Sequence, residues 1–299
     1  MRIALTGGAS GIGAALLPKL AAAGHRVTAF DVARPDEPLD HWVETELGDP
    51  AAIDAAVAAA VAIVDADGPF DALINNAGLP PREGLAARVL AVNFLGFRRF
   101  LDGMLDTLAS GGAIVNTASR AGAFWRDNLD EIRALTALGS IDELDAFVAA
   151  RGIDHVRAYN LSKEAMIVQT IARTEEMIGR GLRMNSVSPA AVDTGILGDF
   201  RSAFGDRMAR NVARAGRPGS AEEVADVIAF LASPGSAWLK GVDITIDGGM
   251  SAMAASDAME LPGRAERGEG ASSGANGAGG ADGAVRTAGE DAANGAGPA

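Results

Sequence analysis

Residues 2–13 read Arg2-Ile3-Ala4-Leu5-Thr6-Gly7-Gly8-Ala9-Ser10-Gly11-Ile12-Gly13. The run Arg2–Thr6 is short and apolar, as a buried strand requires, and residues 12–23 repeat their apolar positions at helical spacing. Between strand and helix lie Gly7, Gly11 and Gly13. Glycines there let the backbone turn sharply and approach a pyrophosphate, which the helix N-terminus then meets with N–H donors and a favourable dipole. A plain tight turn is the competing reading of such a loop taken alone. Context favours phosphate binding, because a second strand, Arg26–Asp31, ends in a carboxylate 18 residues after Gly13. A carboxylate at that place accepts hydrogen bonds from a ribose and repels a 2′-phosphate, which predicts NAD(H) over NADP(H).

Outward from this unit the pattern repeats. Strands are predicted at 71–75, 113–118, 182–187 and 242–247, with helices at 51–64, 85–108, 155–178 and 221–232. Apolar strands alternating with helices imply a mainly parallel sheet covered on both faces, a doubly wound α/β Rossmann fold. Residues 1–255 form this domain. From Gly263 on, 11 of 37 residues are glycine and Val285 is the only large aliphatic, so 256–299 is expected to be a disordered acidic tail.

Composition narrows the function. The 299 residues include no cysteine, which excludes disulfides and thiol chemistry, and three scattered histidines give no metal-ligand spacing. A net charge of −13 disfavours nucleic acid and anionic membranes as partners. The longest wholly apolar run, 55–64, is too short to span a bilayer, and the strand starting at Arg2 leaves no room for a signal peptide. A cytoplasmic protein is expected.

The single tyrosine, Tyr159, stands four residues before Lys163, one of three lysines in the chain. On a helix the two share a face. A phenol of pKa near 10 is a poor base at neutral pH, and a nearby ammonium is expected to lower it. An exposed helix pair is the bland alternative. Ser119 ends a predicted strand where the active sites of parallel sheets gather, or it is a turn serine. Asn93 lies within a predicted long helix.

Thr6-Gly7-x-x-x-Gly11-x-Gly13, Asn75-Asn76-Ala77-Gly78, Asn93, Ser119, Tyr159-x-x-x-Lys163 and Ser188-Pro189 occur in the motif order of the short-chain dehydrogenases/reductases. Residues 1 to about 250 resemble that family. The resemblance implies that Gly7, Gly11, Ile12 and Gly13 line the pyrophosphate and Asp31 holds the adenosine ribose. Asn75, Ala77 and Gly78 would pack beside the same ribose, while Pro189, Val192 and Thr194 would touch the nicotinamide. Tyr159 would transfer the proton, Lys163 lower its pKa and bind the nicotinamide ribose, Ser119 hydrogen-bond the substrate oxygen, and Asn93 hold a water linking Lys163 to solvent. Two departures stand out. Pro189-Ala190 replaces the usual Pro-Gly, and the aspartate usual after the third strand is either replaced by Glu46 or offset to Asp49.

Ser119 and Tyr159 are 40 residues apart, where most of the family has roughly a dozen. The additional 124–154 segment repeats apolar residues at helical spacing, and the 78–93 stretch is short. This pairing resembles bacterial family members acting on coniferyl alcohol or on 3α-hydroxysteroids. The expected substrate is a hydrophobic, coniferyl-type alcohol or its carbonyl, with a 3α-hydroxysteroid as the alternative and a non-catalytic NAD(H) sensor as a remoter one. Phe124, Trp125, Ile196, Leu197 and Phe200 are candidates to line its pocket, although Phe124 and Trp125 serve equally to pack the insert. Trp42 and Trp238 are expected to be structural. A homo-oligomer, a dimer first, is the expected assembly.

Overall fold

The computed structural model describes residues 1–260. Its central sheet has seven strands, all parallel, in the order β3-β2-β1-β4-β5-β6-β9. In chain order the first half runs β1 (Arg2–Thr6), α1 (Gly11–Ala22), β2 (Arg26–Asp31), β3 (His41–Glu44), α2 (Pro50–Asp67) and β4 (Phe70–Asn75). Next come α3 (Ala86–Leu90), a π-helical turn (Ala91–Gly96), α4 (Phe97–Met104) and β5 (Leu108–Thr117). The insert holds α5 (Leu129–Thr136) and α6 (Leu144–Arg151). The remainder is α7 (His155–Ala172), α8 (Thr174–Gly179), β6 (Arg183–Pro189), β7 (Val192–Asp193), α9 (Leu197–Ala215), β8 (Gly219–Ser220), α10 (Ala221–Ala232), β9 (Asp243–Ile246) and α11 (Met250–Met259).

Burial explains the strands. Ile3, Leu5, Leu73, Ile74, Ile114 and Val115 are fully enclosed, because helices cover both faces. One face packs α1 and α10 through Leu16, Leu17, Leu20, Val224, Ile228 and Leu231. The other packs α2, the α3–α4 run and α7 through Ile53, Phe94, Phe100, Leu161 and Met166. Each such side chain contributes about 1.5–3 kcal/mol on burial. Helix starts are fixed locally. Asp49 accepts the Ala51 N–H at 2.9 Å with Pro50 behind it, and Ser220 and Glu223 cap α10 reciprocally.

Several elements differ from the sequence reading. The short β3 is an addition, as is α9. The predicted 85–108 helix is interrupted by the π-helical turn, and 155–178 divides into α7 and α8. Helix α11 carries ordered structure through Met259, past the expected boundary at 256; the rest of the expected tail, 261–299, lies outside the described residues. Trp238, expected to be structural, is 93% exposed. Strand order reverses between β1 and β4, so a crevice opens beyond their C-terminal ends, the place where open α/β sheets bind ligands.

Candidate functional site

A cavity of about 900 Å³ occupies that crevice. At its β1 end the backbone is packed to the limit. Gly7 has φ +73°, and a Cβ on it would lie 2.6 Å from the Ala77 Cα. A Cβ on Gly13 would lie 1.8 Å from the Gly7 carbonyl oxygen. Asn76 donates to that same oxygen at 2.8 Å, while Thr6 Oγ1 accepts the Asn76 and Ala77 N–H groups at 3.0 and 3.1 Å. The loops after β1 and β4 are thus one clamped unit. Thr6 and Asn76 were not among the expected site residues; the pairing of Thr6 with Asn75 across the sheet is visible only once strand order is known.

Gly7, Gly11, Ile12, Asp31, Ala77 and Gly78 lie on the cavity wall. Asp31 Oδ2 accepts the Ala9 N–H at 2.8 Å and Oδ1 the Ala33 N–H at 3.1 Å, which fixes the carboxylate at the rim of the glycine loop. Two of the expected cofactor residues lie off the wall. Gly13 sits behind Gly7, where its role is to permit the close approach. Asn75 is buried and donates to Asn116 Oδ1 at 2.9 Å, and Asn116 donates to Thr170 at 3.0 Å, so its side chain joins β4 to β5 and α7. Of the two candidates after β3, Glu46 is on the wall and paired with Arg88 at 2.8 Å, whereas Asp49 caps α2.

Ser119, Tyr159 and Lys163 meet in the middle of the cavity. Ser119 follows β5, accepts the Ala121 N–H at 3.1 Å, donates to the Pro189 carbonyl at 3.5 Å and sits near enough to the Tyr159 hydroxyl to act on its titration. Lys163 Nζ donates to the Thr117 carbonyl at 2.8 Å and lies 5.8 Å from the Tyr159 ring centroid. Burial pushes the Tyr159 phenol up to about 12, with the Ser119 hydrogen bond acting the other way. Burial pushes the Lys163 ammonium down to about 8. The expectation that Lys163 holds the phenol below its ordinary value is corrected here, since desolvation of the phenolate dominates.

Asn93 is fully buried, off the wall, in the π-helical turn. Its carboxamide accepts the Leu79 N–H at 2.7 Å and donates to the Leu79 carbonyl at 2.9 Å, so it holds the loop that brings Gly78 beside Lys163. Such turns recur at functional sites.

On the far side, Pro189, Val192 and Thr194 lie on the wall, with Thr194 facing Gly11. The Phe200 ring meets Tyr159 edge-on at 5.2 Å and stacks on Phe204 at 6.3 Å. Phe124 and Ile196 also line the cavity. Two of the expected substrate residues do not. Trp125 packs against the core of the insert side under the Arg126 guanidinium, and Leu197 is buried at the start of α9. The wall residues Phe204, Arg207, Met208 and Asn211 were not expected, because α9 was not foreseen as a helix.

The comparisons with known proteins agree with this geometry. A family model described as short chain dehydrogenase matches residues 2–128, and one described as Enoyl-(Acyl carrier protein) reductase matches 130–251. The coniferyl-alcohol dehydrogenase of Pseudomonas sp. (strain HR199 / DSM 7063) is 34% identical over 254 residues, 84% of this chain and 96% of that one. The chain belongs to the short-chain dehydrogenase/reductase family. This short-chain dehydrogenase/reductase is therefore an oxidoreductase enzyme, which removes the sensor reading. The 3-alpha-hydroxysteroid dehydrogenase/carbonyl reductase of Comamonas testosteroni is 31% identical over 84% of this chain and 96% of its own. The 3-alpha-hydroxysteroid dehydrogenase of Pseudomonas sp. B-0831, solved in complex with NADH, superimposes with a TM-score of 0.75 at 33% identity, covering 86% of this chain and 99% of that one. No helix among the described residues is long and apolar enough to cross a membrane.

Proposed function

We propose that the enzyme interconverts a hydrophobic, coniferyl-type aromatic alcohol and its carbonyl with NAD(H). The observation that carries the substrate half is the edge-on contact of Phe200 with Tyr159, which continues an aromatic wall up to the reacting hydroxyl. The cofactor half rests on the glycine cradle, where no side chain fits, and on Asp31 at its rim. A relative named for coniferyl alcohol and a relative solved with NADH support the two halves in turn.

Gly7, Gly11 and Ile12 would hold the pyrophosphate, Asp31 the adenosine ribose, and Lys163 with Tyr159 the nicotinamide ribose. NADH, when bound, supplies the hydride. The Tyr159 hydroxyl donates its proton to the substrate oxygen in reduction, and Ser119 hydrogen-bonds that oxygen. The Lys163 ammonium then offsets the phenolate left behind. In oxidation the proton moves the other way. Assembly as a homo-oligomer and a cytoplasmic location belong to the same reading, supported by membership of a family whose enzymes are typically oligomers.

A 3α-hydroxysteroid is the second reading, favoured by the size of the cavity and by the relatives acting on such compounds. Rates of NADH formation with coniferyl alcohol, cinnamyl alcohol and androsterone separate the two. Coniferyl alcohol should give the highest kcat/KM, and a higher value with androsterone would replace the first reading by the second. Asp31→Ser should cut the preference for NAD over NADP by about tenfold; an unchanged ratio would remove Asp31 from cofactor choice.

A further inference from the structure

The far end of the cavity carries a charge that an all-apolar substrate would not use. Of the four arginines on α9, at positions 201, 207, 210 and 214, only Arg207 lines the cavity. Its guanidinium lies 5.8 Å from the Phe124 ring centroid, which holds its planar head against the aromatic wall. No ion pair or hydrogen bond to a carboxylate ties it among the described residues. The other cation on this part of the wall, Arg120, faces Asp247 at 3.4 Å. The wall's carboxylates, Asp31 and Glu46, both belong to the glycine-loop end. A chain of net charge −13 thus leaves one arginine without an acidic partner at the mouth of its substrate pocket.

Position along α9 sets the reach. Phe200 touches Tyr159, and Arg207 lies seven residues further along α9, beyond the bend at Gly205. We infer that Arg207 is a specificity-determining residue, and that the preferred substrate is an aromatic alcohol or carbonyl bearing an anionic group on the end of the molecule away from the reacting oxygen. A carboxylate para to the side chain of a cinnamyl-type ring is such a group. The inference rests on the dehydrogenase reading of the same site and refines its substrate class. An exposed arginine binds an anion modestly and with screening by salt, so the expected effect is about fivefold rather than several hundredfold.

The test compares cinnamyl alcohol, its 4-carboxylate and the methyl ester of that carboxylate. The carboxylate should show about fivefold higher kcat/KM than the ester at low salt, with the advantage shrinking in 0.5 M NaCl. Arg207→Gln should erase the advantage by raising KM for the carboxylate, with a much smaller change for cinnamyl alcohol; Arg207→Lys should keep part of it. Equal kcat/KM for carboxylate and ester, or an advantage that survives Arg207→Gln, would overturn the inference. Turnover of cinnamyl alcohol with NAD⁺ reports on the dehydrogenase reading separately. Should none of the three turn over, calorimetric binding of 4-carboxycinnamaldehyde to wild type and Arg207→Gln decides the matter. A fivefold weaker affinity in the variant supports the assignment and an equal affinity refutes it.

Discussion

At one end of the cavity a Cβ on Gly13 would collide with a carbonyl oxygen at 1.8 Å; at the other, Gly195, Gly198 and Gly205 would meet nothing within 4 Å. The glycine-loop end is backbone against backbone, clamped by Thr6 and Asn76. The α9 end is side chain against open space, on a helix that bends at Gly205, where φ is +49°. The difference follows from what each end must do. A pyrophosphate of constant shape is met by backbone donors that tolerate no substitution. A variable substrate is met by side chains that can be exchanged without disturbing the sheet.

The contrast can be tested in order of expected effect. Tyr159→Phe keeps the ring contact with Phe200 and removes only the hydroxyl, so kcat should fall about 10²–10⁴-fold while NADH binding, followed by its fluorescence, stays intact. Gly13→Ala should cost at least about 2 kcal/mol in urea unfolding and weaken NADH binding, because a backbone carbonyl cannot rotate away as a side chain can.

The pH profile gives a smaller change. At pH 7 the raised Tyr159 phenol is protonated and Lys163 is charged, the state that donates a proton in carbonyl reduction. Raising pH through about 8 discharges Lys163 and removes the ammonium that offsets the phenolate, so reduction should decline with a midpoint near 8. Oxidation, which needs the phenolate, should climb only at higher pH, because Tyr159 is pushed up to about 12 and loss of the ammonium makes the phenolate no easier to form. Lys163→Met should lower the rate and abolish the midpoint near 8; retention of that midpoint would assign it to another group. Gly198→Ala should do least. With open space around it on a helix, it should change kcat little and stabilise by up to about 1 kcal/mol in the same urea experiment.

The two ends also differ in how they could be read from sequence. The bounds of β1 and β2 follow directly from apolar runs flanked by glycine, since buried parallel strands leave few other choices. Strand β3 is a half-exposed edge of four residues, His41-Trp42-Val43-Glu44, with no apolar run to announce it. Helix α9 buries only Leu197 fully and carries two glycines, so it shows no continuous apolar stripe. That Asn76 rather than Asn75 reaches the cavity depends on where β4 ends, and a shift of one residue reverses the two. Tyr159 and Lys163 were legible as neighbours on a helix, but the direction of the tyrosine shift depends on how deeply the pair is buried, which spacing does not encode.

The insert is joined to the catalytic helix by more than apolar packing. Asn128 donates to Glu164 at 2.8 Å, and Arg157 bridges Glu131 at 2.5 Å and Glu164 at 2.7 Å, with the Glu164 side chain 2% exposed. Half of that ionic cluster is contributed by the insert and half by the helix that bears Lys163. Residues 124–154 are therefore not a detachable module. A recombinant exchange of this segment between relatives would have to carry 124–164 as one cassette, because a shorter one would strand Asn128 and Glu131 on the donor side, without the arginine and carboxylate they were built to meet.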